Sequence, residues 1–97
     1  MMFKDYLRRD MRLVLLRTLA EMPGYKGNSS VLANLLTEFG HVVSRDQVKT
    51  ELGWLEEQGL VTIESIGSVR VATLSERGQD VADGRAVVDG VAKPRAA

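Results

Sequence analysis

The chain has 97 residues, no cysteine and one histidine, and its 13 Lys and Arg balance 13 Asp and Glu. That length suits one domain able to bury a core without a staple, while the missing thiols exclude disulfides, thiolate metal sites and a cysteine nucleophile. Zero net charge withholds the usual electrostatic hint of nucleic acid, and no stretch approaches the roughly 20 apolar residues of a membrane span.

The first helix is expected from about Asp5 to Met22, where Leu7, Met11, Val14, Leu15, Thr18 and Met22 repeat at helical spacing. Leu13, Leu16 and Ala20 fall on the opposite side, so the second half is apolar nearly all round. A single small core covers one such stripe. The other is therefore expected to pair two chains, with Leu13, Leu16 and Ala20 at the interface of a homodimer helped by the final helix, which in a monomer would have to be the cover instead. The uncharged run Leu13 to Leu16 is too short for a signal peptide, and a cytoplasmic protein is expected.

Pro23-Gly24 stops the helix, and Gly24 to Ser29 reads as a polar loop. Ser29 then caps a short helix over Ser30 to Phe39, with Val31, Leu32, Leu35, Leu36 and Phe39 inward and Gly40 at its end. Three residues later Ser44-Arg45-Asp46-Gln47 has the capping-box pattern, opening a helix to about Gln58 with Val48, Leu52 and Leu55 on its inner stripe. After Gly59 the period becomes two: Leu60 to Ser65 and Val69 to Leu74 read as a hairpin around Gly67. Ser75 caps a last helix to about Gly84, with Val81 and Ala82 inward. The domain is expected over residues 1–86, with 87–97 a partly disordered tail.

Helix, helix, tight turn, helix, hairpin, helix is the α+β order of a winged helix-turn-helix: a three-helix core, a two-stranded wing and a C-terminal helix. The segments Gly40 to Val48 and Leu55-Glu56-Glu57-Gln58-Gly59-Leu60-Val61, with Leu52 between them, resemble the MarR/ArsR-type winged-helix core. Thr73-Leu74-Ser75-Glu76-Arg77-Gly78 resembles the step from the wing into that family's final helix. The whole chain, including Asp5-Tyr6-Leu7-Arg8 and Val91-Ala92-Lys93-Pro94, is similar to a group of small proteins of Mu-like phages and prophages.

The resemblance implies a DNA-binding protein, with double-stranded DNA as partner and the helix from Ser44 in the major groove. Candidate contacts are Ser44, Arg45, Gln47, Lys49 and Thr50 on that helix and Arg70 on the wing. Arginine suits guanine and glutamine suits adenine by bidentate geometry. A solvated helix face accounts for the same residues. An exposed strand position accounts equally for Arg70, and Arg8, Arg9 and Arg12 form either a phosphate-binding patch on the first helix or a solvated basic face interrupted by Asp5 and Asp10. Trp54 is either a contact residue or a cover over the wing or first helix, and His41 is expected to be a polar surface or capping residue in the turn.

Ser44 to Gln58 carries two cations against four acids, which opposes DNA affinity, since that affinity comes largely from cations at phosphates. The rival reading is therefore a winged helix used as a protein-interaction or assembly module in phage DNA packaging or morphogenesis. With no phosphate loop, no paired carboxylates and no nucleophile beside a base, neither catalysis nor a cofactor is expected. The lone histidine and missing cysteines leave no ArsR-type metal cluster.

Overall fold

The computed structural model describes residues 2–94, so the last three residues of the expected tail lie outside it. Four helices pack with one antiparallel three-stranded sheet. In chain order these are α1 (Met2–Glu21), a 3₁₀ turn (Pro23–Tyr25), β1 (Lys26–Asn28), α2 (Ser29–Glu38), α3 (Arg45–Glu57), β2 (Val61–Ile66), β3 (Val69–Leu74) and α4 (Glu76–Ala82). No helix is long and apolar enough to cross a membrane among the described residues.

Local chemistry sets most of these boundaries. Ser44 Oγ accepts the Gln47 amide at 3.1 Å, and Ser75 Oγ accepts the Gly78 amide at 2.9 Å while donating to the Gly59 carbonyl at 2.8 Å. Each satisfies one of the orphan donors at a helix start. Only the Ser44 half of the capping box forms, because Gln47 turns toward a groove lined by Lys4, Leu7 and Met11 of α1. Ser44→Ala should cost about 0.5–2 kcal/mol in urea denaturation, and unchanged stability would show that the cap is unimportant to α3.

The cap of α2 lies one residue earlier than expected. Asn28 Oδ1 accepts the Val31 amide at 2.8 Å, and Ser29 is buried, its hydroxyl accepting the Arg70 amide at 3.3 Å. Val31 and Phe39, expected inward, are 38 % and 64 % exposed, and the inner face of α2 is Leu32, Ala33 and Leu36.

The polar loop is also a strand in part. β1 pairs with β3 in the register Lys26 to Thr73, Gly27 to Ala72 and Asn28 to Val71, so the two-stranded wing becomes a three-stranded sheet in the order β1-β3-β2. Gly27 permits this: a Cβ there would lie 3.2 Å from Leu19 Cδ2 and 3.3 Å from Leu32 Cδ2. A side chain would require these leucine methyls to give way by a few tenths of an ångström.

The largest correction concerns α1. Its core residues are Met11, Leu13, Leu15, Leu16 and Leu19, whereas Leu7 is exposed and Val14, Thr18 and Met22 are half-buried. Leu13 and Leu16, at 6 % and 0 % exposed, are not a wet ridge awaiting a second chain. Val81, Val88 and Val91 complete the same core cluster, α1 packs on α4, and the Ala92 amide donates to the Arg9 carbonyl at 3.1 Å. The segment expected as a tail is thus part of the domain through residue 94, and it supplies the cover that a partner was expected to give. Ala20 is half-buried against the same core.

Candidate nucleic-acid interface

The inner face of α3 consists of Val48, Glu51, Leu52 and Leu55. Three of these are ordinary core residues. The fourth, Glu51, is a carboxylate only 4 % exposed. Its charge is matched from α1: Arg12 Nε donates to Glu51 Oε1 at 2.7 Å, and Arg8 Nε stands 3.6 Å from Oε2. Arg12 also donates from Nη1 to the Gly90 carbonyl at 3.0 Å, and its Cζ lies 3.7 Å from the Trp54 ring centroid. One guanidinium therefore ties together α1, α3 and the C-terminal segment. Among the described residues no buried side-chain polar atom lacks a partner.

Gly90 completes this clasp. It has φ of +99°, and a Cβ would stand 2.7 Å from the Trp54 ring. Only a glycine lets the chain turn there and lie flat on the indole. Trp54 thus takes the packing alternative, as a half-buried cover over Arg12 and residue 90. Arg12 is turned in against a buried acid, while Arg8 pairs with the same acid from a half-exposed side chain. No local pattern in the sequence announced this, because the partners are 39 and 78 residues apart.

His41 departs from its expected surface role as well. It is 8 % exposed, and its Nε2 donates to Asp10 Oδ2 of α1 at 2.8 Å. The turn between α2 and α3 is thereby fixed to α1.

These contacts determine what α3 presents outward. Arg45 is exposed and its Nη1 donates to Ser30 Oγ at 3.5 Å, beside the first turn of α2. Arg70 reaches the same place from β3 through its backbone bond to Ser29. Lys49 is half-buried one turn beyond Arg45, and exposed Thr50 donates its hydroxyl back to the Asp46 carbonyl at 3.1 Å. Gln47 belongs to the opposite flank, toward α1. Thus Arg45 and Arg70 adjoin one helix start, Lys49 continues that flank, Ser44 is engaged as a cap, and Gln47 stands apart. Ser30 is a neighbour of this surface that sequence spacing did not single out.

The charge balance changes accordingly. Glu51 is turned inward and neutralised, and Glu56 Oε2 accepts the Ile63 amide of β2 at 3.0 Å. Across the first two turns of α3 the outward charges are Arg45 and Lys49 against Asp46 alone.

The chain is 49 % identical over 94 residues to gp26 of Escherichia phage Mu, an uncharacterized protein, and the match covers 97 % of each. The chain belongs to the phage Mu gp26 family. The gp26 family also reaches a bacterial genome: an uncharacterized protein of Haemophilus influenzae is 47 % identical over 78 residues, 79 % of this chain and 76 % of that one. No protein-family profile matches the chain.

Proposed function

We propose that this gp26-family protein is a winged helix-turn-helix that binds double-stranded DNA, with α3 in the major groove and the β2–β3 hairpin as the wing, and that it regulates transcription in a Mu-like phage or prophage. The element order, with β1 as a third strand beside the wing, supports this fold. The observation carrying the reading is the inward turn of Glu51. It removes one acid from the groove-facing balance and leaves the Arg45 guanidinium, and the Arg70 backbone, at the first turn of α2. Backbone amides at a helix start favour phosphate, and an arginine beside them, here Arg45, reinforces that preference.

The test is a titration of the full chain against fragments of a Mu-like phage genome by fluorescence anisotropy. Binding should fall between about 50 and 200 mM salt, and Arg45→Ala or Arg70→Ala should each reduce the salt slope by about 1 where the side chain contacts a phosphate. If Arg45 reads a base, its variant also relaxes sequence preference. Absence of binding to every fragment at the lower salt overturns the proposal in favour of an assembly module. That second reading draws support from the exposed Phe3, Phe39 and Val42, which are 73 %, 64 % and 85 % exposed.

A further inference from the structure

Between the N-terminal half of α1 and the turn that joins α2 to α3 runs a groove of about 400 Å³. Its apolar lining is Leu7 and Met11 from the helix and Val42 and Val43 from the turn. Met11 is buried, but Leu7 is 39 % exposed and Val42 85 %. A valine that open contributes nothing to this core, and apolar surface gathered in a concave site marks an interaction surface.

The polar groups along the groove are cations and unused hydrogen-bonding groups. Lys4 is exposed and makes no ion pair among the described residues. Arg8 is half-exposed and pairs only with Glu51, at 3.6 Å. The Gln47 side chain, free of the capping box, hydrogen-bonds nothing among the described residues. Neither Val42 nor Val43 makes a backbone hydrogen bond among them either.

The acids nearby are engaged or turned elsewhere. Glu51 is buried against Arg12, and Asp10 is bonded to His41. Asp5 lines the other side of α1, with Arg9 and Trp54, and Asp46 is outside the groove. No carboxylate lines it among the described residues.

These features define an occupant. Free main-chain donors and acceptors suit an extended peptide, which pairs through its own main chain. Leu7 and Val42 offer contact to an apolar side chain, which a nucleic-acid backbone lacks. Lys4 and Arg8, with no acid between them, favour carboxylates. We infer that this groove binds an extended acidic segment of another protein. An apolar side chain of the segment rests on Leu7 and Val42, its carboxylates meet Lys4 and Arg8, and its main chain pairs with Val42, Val43 and the Gln47 amide. The groove lies on the Gln47 flank of α3, away from Arg45, so the inference stands apart from DNA binding.

Fluorescence anisotropy of the full chain with a short labelled peptide of alternating leucine and aspartate tests it. The dissociation constant should be on the order of 10–100 μM, and asparagine in place of aspartate should weaken binding about 10-fold. Lys4→Glu should weaken it about 3- to 10-fold, and Val42→Asp about 10-fold. Both positions are exposed, so the variants keep the fold. On titration, the amide resonances of Val42, Val43 and the Gln47 side chain should shift. No binding at about 1 mM, equal binding of a lysine-for-aspartate peptide, or shifts confined to the surface around Phe39 overturns the inference. So does a DNA duplex that moves these amides where the peptide does not, which assigns the groove to a phosphate backbone. Peptide binding by a chain that binds no DNA supports the inference while overturning the DNA reading.

Discussion

Replacing Arg12 by alanine should destabilise the protein by about 3–5 kcal/mol, the cost of leaving a buried carboxylate without its partner. Glu51 is 4 % exposed, and with Arg12 gone its remaining cation is Arg8, 3.6 Å away on a side chain that is 50 % exposed. The same substitution removes the donor to the Gly90 carbonyl and the guanidinium stacked on Trp54. Urea denaturation of the wild type and variant gives the difference directly. Arg8→Ala, by contrast, removes only a half-solvated pair and should cost no more than about 1 kcal/mol. Adding Glu51→Leu to Arg12→Ala should recover much of the loss, because the penalty lies in the orphaned charge. Equal stability of Arg12→Ala and wild type would show that Glu51 finds water or another donor.

Leu16→Ala should cost about 2–5 kcal/mol, a loss as large, because Leu16 is fully buried in the core cluster that Val88 and Val91 also join. Leu16→Glu should abolish the cooperative unfolding transition, since the interior offers no cation for a second buried carboxylate. A dimer-interface residue behaves differently: its charged variant dissociates the pair and leaves the fold. Thermal denaturation together with sedimentation separates the two cases. A folded, monomeric Leu16→Glu protein would restore this side of α1 as a contact surface.

Much of this protein is determined by local chemistry, and that part was legible. Ser44 and Ser75 stand where their hydroxyls accept amides three residues on, so α3 and α4 begin where a reading of side-chain acceptors places them. The two-fold alternation after Gly59 produces β2 and β3, with Ile63 opposite Ala72 and Ile66 opposite Val69. Caps, breakers and periodicity act over a few residues, and so they can be read without knowing the fold.

The candidate surface was only half legible. Arg45, Lys49 and Arg70 could be named from their positions on α3 and the hairpin, but their grouping could not. It depends on α2 presenting Ser29 and Ser30 to both elements. Gln47 matched the pattern equally well and faces α1 instead, because the rotation of α3 is set by the whole stripe Val48, Glu51, Leu52 and Leu55. A charge count along α3 misjudged the surface for the same reason, since it treated Glu51 as outward.

Only the tertiary structure decided which side of α1 is the inside. With leucines nearly all round that helix, several rotations bury similar apolar area, and periodicity alone does not choose among them. The choice comes from distant partners: Gly27 lies against Leu19, Val88 and Val91 join Leu13 and Leu16 in one core cluster, and Arg12 reaches Glu51 and residue 90. A three-residue polar segment becomes β1 because β3 offers it free backbone groups, and a C-terminal stretch without helical period becomes core because two valines find an open apolar face. Local propensity cannot encode either outcome. Both depend on surfaces that exist only once the other elements have assembled.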